Sequence, residues 1–265
     1  MFIAPFIEED LEDVAELEPP DWDDLMAKQR WYMSTPYCIP LKAVFGEALI
    51  SGAANAILHE GSGWIGSMHI VPRFKDDGVD TMLVRALIEQ METRGANTIS
   101  VIATMEQQAL YAAEGFEVET EYLHFADGEQ DAPTEDEVEL YEPHHALGML
   151  HLDRRASGED RRTLISEHSY AGRIYVRNQR VLGYMLPILG EALVIAQDPH
   201  SGLELLRWQL PILNKVCVPQ ENIAAVEYLV DHKYVEYKRT IRMYRGKKLE
   251  WHPEWLYSRI SDQLG

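Results

Sequence analysis

The sequence predicts an α/β protein built as two domains in tandem, and three observations predict it. The charge divides: residues 1–140 hold 29 acids and 7 bases, a net of −22, whereas residues 141–265 hold 15 acids and 17 bases, a net of +2. An acidic polar tract, "ADGEQDAPTEDEVE" from Ala126 to Glu139, interrupts an otherwise patterned chain as a linker would. Strands and helices follow in a similar order on either side of that tract, which suggests an internal repeat. The expected division is a first domain at 1–126, a linker at 127–143 and a second domain at 144–265.

In the first half "FIAPF" reads as a strand. "EEDLEDVAEL" and "WDDLMAKQRWYM" read as helices, with acids near their starts where the helix dipole favours them. "LKAVFG" and "ALISGAANAILHE" are strands, and a turn using Gly61 and Gly63 leads to the strand "WIGSMHIV". From Val79 the apolar residues Met82, Leu83, Ala86, Leu87 and Met91 recur at helical spacing, and Arg94 and Gly95 end that helix. "NTISVIA" is a buried strand, "QQALYAAEG" a short helix and "FEVETEYLHF" an alternating strand. The second half begins with "HHALGMLHLD" as a strand and "GEDRRTLISEH" as a helix. Two strands in "AGRIYVRNQRVLGYML" turn at Asn178, and "GEALVIA" is another strand. "GLELLRWQLPIL" is a helix ending at Pro211; "NKVCVP", "NIAAVEYLVDHK" and "YVEYKRTIRMYRG" read as strand, helix and long strand. The best repeat register pairs Thr104 with Asn222, Tyr111 with Leu229, and Gly115-Phe116 with Lys233-Tyr234.

A hydrophobic content of 46% in 265 residues supports a real core. No apolar run reaches the roughly 20 residues of a membrane span. "MFIAPFIEED" turns acidic at once, without the basic start of a signal peptide, so a cytoplasmic protein is expected. Cys38 and Cys217 stand far apart and outside any CxxC pair, which argues against a disulfide framework and a structural zinc. His144, His145 and His151 form no recognisable metal spacing, so no metal is expected. An excess of acid argues against nucleic-acid binding. The acidic half either attracts a cationic substrate or is a solvated surface.

"VPRFKDDGVDTML", Val71 to Leu83, resembles the strand–loop–helix motif Arg/Gln-x-x-Gly-x-Gly/Ala of the GNAT superfamily of acetyl-CoA-dependent N-acetyltransferases. "LYAAEGF" is similar to that family's Tyr-x-x-x-Gly-Phe. The second half resembles the C-terminal domain of bacterial two-domain GNAT proteins, on "LDRRASGEDRRTLI", "AGRIYVR", "NIAAVEYL", "TIRMYRGKK" and "WLYSRISDQLG". The resemblance implies two tandem GNAT-like domains, each a mixed, mostly antiparallel twisted sheet flanked by helices. It implies acetyl-CoA as acyl donor, a small-molecule amine as acceptor and direct transfer between them. It places the backbone of Met68, Ile70 and Val71 against the pantetheine arm, and Lys75, Asp76, Asp77, Gly78, Val79, Asp80 and Thr81 around the pyrophosphate. By the same match Tyr111 is the general acid that protonates the departing thiolate, and His69 or water the base, with His59 and Glu60 weaker candidates.

The departures are as informative as the matches. Lys75 stands where the family has Arg or Gln, Asp80 where it has Gly or Ala, and Thr104 where it often has Asn. A carboxylate at Asp80 would repel a phosphate, or would serve the helix start as a cap. An alternative reading is therefore a non-catalytic GNAT-fold binding or sensing protein with a decayed loop. In the second half Leu229 replaces the tyrosine and Lys233 the glycine, and "AQDPHSGLELL" lacks the loop spacing, so that half is expected neither to bind CoA nor to catalyse. Its basic "RMYRGKK" is expected to compensate the acids of the first half across an interface.

Overall fold

A computed structural model describes residues 1–16, 25–46, 48–133, 137–262 and 264. The chain opens with β1 (Phe2–Pro5), a 3-10 segment (Glu8–Glu16) and α1 (Leu25–Ser34). The first three residues of "WDDLMAKQRWYM" lie outside the described residues. Three antiparallel strands follow, β2 (Cys38–Phe45), β3 (Leu49–His59) and β4 (Ser62–Ile70). Gly61 makes the β3–β4 turn at φ +81°. Gly63, expected in that turn, lies inside β4 instead, where a Cβ would come within 3.0 Å of the Ile57 carbonyl oxygen. Next come α2 (Val79–Thr93), β5 (Thr98–Ala103), α3 (Gln108–Ala113) and β6 (Glu117–Ala126).

The second half starts earlier than expected, with β7 (Val138–Leu140) inside the acidic tract, paired to β8 (Arg173–Arg177). "HHALGMLHLD", read as a strand, is the start of α4 (Ala146–Ser157). Its buried residues Met149, Leu152, Asp153, Ala156 and Ser157 follow a helical period, and Gly158 closes it at φ +74°. Then follow α5 (Arg162–His168), β9 (Arg180–Leu186), β10 (Leu193–Ala196) and α6 (Pro199–Leu213). Pro211 does not end α6, which runs on to Leu213 and is closed by Asn214 at φ 47°. A proline so near the C-terminus costs only one ladder bond. The chain finishes with β11 (Lys215–Pro219), α7 (Ile223–Asp231), β12 (Val235–Gly246) and β13 (Leu256–Ser258).

The expected repeat register is visible as geometry. Phe116 donates its N–H to Tyr111 O at 3.1 Å, and Tyr234 donates to Leu229 O at 2.9 Å. Gly115 and Lys233, paired in the repeat, both have positive φ, +83° and +62°.

The strands form an eight-stranded sheet, β1-β2-β3-β4-β5-β12-β6-β11, and a five-stranded sheet, β13-β10-β9-β8-β7. Both are antiparallel except at the β4–β5 pair. The two halves exchange strands: β12 from the second half runs between β5 and β6, and β6 from the first runs between β12 and β11. The basic strand therefore meets acids of the first half directly. Arg242 stands 2.7 Å from Glu119 with both side chains 4% exposed, and Arg245 and Arg239 lie 3.0 and 3.1 Å from Glu92 and Glu121. Arg242 also stacks over Trp64 and Trp251, which covers a desolvated guanidinium with ring faces.

Candidate active site

The site is created by a divergence. β4 and β5 are hydrogen-bonded from Ser62–Ile65 to Thr98–Val101, and beyond Ile65 they separate. On its other side β4 stays paired to β3 through Ile70, with a register shift opposite Ala54–Ala56. Val71 donates its N–H to Ser51 O at 3.0 Å, so its donor is already engaged toward β3. Alternation along a strand then turns the backbone groups of Met68 and Ile70 toward the open side. Of the three residues expected to meet an extended ligand arm, the strand thus offers two.

Ile70 leads through Val71 and a 3-10 turn (Pro72–Phe74) to Gly78, at φ +73°, and then α2. A Cβ built at Gly78 meets nothing within 4 Å, so the loop leaves open space at that point. The N–H groups of Gly78, Val79 and Asp80 have no acceptor among the described residues. Thr81 differs: its N–H donates to Asp80 Oδ1 at 2.7 Å. Lys75, Asp76 and Asp77 are exposed, while Asp80 is half-buried. Only one of the three loop acids has turned onto the helix start, and it takes one donor of four.

Tyr111 is 2% exposed and packs edge-on against Phe116 at 5.5 Å, within the core that α2 also builds. Burial, and after it the charge of Asp80, raises its hydroxyl above the usual tyrosine range, so it holds its proton at neutral pH. His69 sits elsewhere. Ser67 and His69 share the face of β4 that meets α1, where Asn55 links Ser67 (3.0 Å) to Gln29 (3.0 Å). Burial, with the neighbouring charge of Lys28, lowers His69 to about 4, leaving it neutral and weakly basic. The fold therefore brings Tyr111 together with Asp80 and separates both from His69. His59 is half-buried beside Glu159 and Arg161, and desolvation lowers its pKa as well.

The corresponding place in the second half is filled by the chain itself. β13 adds antiparallel to β10, with Val194 opposite Ser258 and Ile195 opposite Leu256, and lies against β11. Asn222, aligned with Thr104 in the repeat, donates to Leu256 O at 2.9 Å. At the start of α6, Asp198 accepts the N–H of Ser201 at 3.0 Å. Sequence reasoning missed β13 and Asp198; "DPHS", an N-cap followed by Pro at the first helical position, was the available signal for the latter.

Residues 45–124 match the protein-family model described as FR47-like protein. Over its whole length the chain superposes on a Pyrococcus horikoshii protein assigned as an acetyltransferase, at TM-score 0.82, 19% identity and 95% of that chain. A GCN5-related N-acetyltransferase from Sphaerobacter thermophilus matches 94% of this chain and 98% of its own at TM-score 0.65 and 14% identity. A tandem GNAT protein from the clavulanic acid biosynthesis pathway matches 92% and 98% at TM-score 0.56 and 12% identity. No curated protein matches the sequence. The fold is that of the GCN5-related N-acetyltransferases in tandem form, as the motifs implied. Among the described residues no helix is long and apolar enough to cross a membrane.

Proposed function

We propose that the first half is an acyl-CoA-dependent N-acetyltransferase that passes acetyl directly to a small amine. One contrast carries this reading: the β4–β5 opening is left unfilled, whereas β13 fills its counterpart between β10 and β11. Acetyl-CoA supplies the acyl group. Met68 and Ile70 offer strand-like backbone pairing to its arm. Gly78 and the free N–H groups at the start of α2 offer donors and a positive dipole end to its phosphates. Tyr111 carries the proton that the departing thiolate needs. His69, lowered to about 4, is a poor match for an amine, so water removes the amine proton. On this reading the second half is a non-catalytic wall.

Titration of the full chain with acetyl-CoA tests the binding half of the proposal, and absence of binding at about millimolar ligand ends it. Tyr111→Phe is expected to lower turnover by about 100-fold, within the usual range for a general acid, with acetyl-CoA affinity unchanged. Full activity in that variant would remove Tyr111 from the chemistry. Asp80 favours a second reading, a binding protein without catalysis, because its carboxylate already holds the Thr81 N–H. Binding of acetyl-CoA without acetylation of any of a panel of primary amines would select that reading.

A further inference from the structure

A large cavity lies in the second half, apart from the β4–β5 opening and from its filled counterpart at β10–β11. It measures about 590 Å³ and opens between α4, the β8–β9 hairpin and the residue after β10. Its walls carry Arg155, Arg180, His144, His145 and His151, with Glu139 as a facing acid. Gln179 and Gln197 add carboxamides at its rim.

The chain has 44 acids against 24 lysines and arginines, so a free guanidinium is easily neutralised. Yet neither Arg155 nor Arg180 has a carboxylate partner among the described residues. Arg155 is held in place by stacking over Trp255 at 4.8 Å. Arg180 follows a tight turn whose two central residues, Asn178 and Gln179, have φ of 50° and 61°.

Three of the lining groups, Glu139, His144 and His145, place potential ligand atoms within 4.8 Å of one another, which invites a metal. The hydrogen bonding denies it. His145 Nδ1 accepts the backbone N–H of Glu142 at 3.0 Å, so its proton resides on Nε2. A protonated Nε2 offers no lone pair to a cation. His145 is 3% exposed, and its Nε2–H faces Glu139 Oε2 at 3.4 Å without making a hydrogen bond. The wall therefore holds a buried donor whose hydrogen bond is unmade, beside two exposed arginines without anions.

We infer that this cavity binds a small polyanion, a molecule with two or more carboxylate or phosphate groups. Arg155 and Arg180 grip separate anionic groups, the His145 Nε2–H donates to one of them, and Glu139 opposes entry. The proposal is independent of the acetyl-transfer reading, since it uses no residue of the first half.

Calorimetry of the full chain with citrate and with inorganic pyrophosphate tests it. Binding of either with a dissociation constant below about 1 mM is expected. The double variant Arg155→Gln/Arg180→Gln should weaken it at least about tenfold, with its own unfolding temperature retained. Glu139→Gln should tighten it about threefold, which a merely structural role would not do. Lack of heat with both anions overturns the proposal. So does equal binding by the double variant, or zinc binding that depends on Glu139 and His144.

Discussion

Asp80 is the residue on which the first half turns. Its carboxylate occupies Thr81 N–H and presses a negative charge toward Tyr111. Removing it frees a donor and a repulsion together, so Asp80→Gly is expected to tighten acetyl-CoA binding about tenfold, the scale of one charge at a helix start. Unchanged affinity by calorimetry would show that Asp80 is merely a cap. Two buried histidines give the fold an acid-sensitive margin. His69 is lowered to about 4 and His124, on β6, to about 3, both first by burial. With folded values below the ordinary 6.5, the unfolded chain takes the proton first. Their contribution is complete above pH 6.5 and is lost as pH falls toward 4 and 3, at up to about 1.4 kcal/mol per group per pH unit. Urea unfolding at pH 7 and 4.5 should show that fall, and His124→Gln should lessen it; an equally steep fall in that variant would remove His124 from the account.

At the scale of elements, β12 joins the halves through charge as well as hydrogen bonds. Arg242→Ala leaves Glu119 buried without its cation and is expected to cost about 3–5 kcal/mol in unfolding experiments. A loss below about 1 kcal/mol would show that water reaches Glu119. Much of this level was legible in the sequence. Met82, Leu83, Leu87 and Met91 announced α2, and Gly78 and Gly95 its ends, because that helix is amphipathic and has a strand on either side. "HHALGMLHLD" misled because a short apolar run fits either period, and its buried positions declare themselves only out to Ser157. β13 stayed hidden because Leu256–Ser258 is a three-residue strand whose stability comes from β10 and Asn222, far away in the chain. Pairing partners of this kind leave no local pattern.

At the scale of the molecule, the charge contrast between halves finds part of its explanation in their interface. Arg239, Arg242 and Arg245 pair with Glu121, Glu119 and Glu92, so some of the first half's acidity is answered by the second. The order of elements revealed two similar units, but not that β6 and β12 change places within one eight-stranded sheet. Exchange of β6 and β12 is invisible to any reading of one strand at a time, since a strand's pattern records which face is buried and not which neighbour it has. It makes the halves interdependent. Residues 1–133 and 137–265 expressed separately should be unfolded or aggregated, and together should assemble into a complex weakened by high salt. A stable, monomeric first fragment with a cooperative melt would contradict the exchange.

The place of β12 also sets a timetable. A nascent chain leaves the ribosome N-terminus first, at about 5–20 residues per second. The first half has all its own strands once Ala126 has emerged, yet the gap between β5 and β6 waits for Val235–Gly246, about 110 residues later. For several seconds at least, β5 and β6 stand with open edges of the kind that recruit other chains. The acids at Glu117, Glu119 and Glu121 line one of those waiting edges. Before Glu119 and Glu121 become partners for arginine, and Glu117 for the Tyr244 hydroxyl, the three are like charges that keep one unfinished molecule from pairing with another.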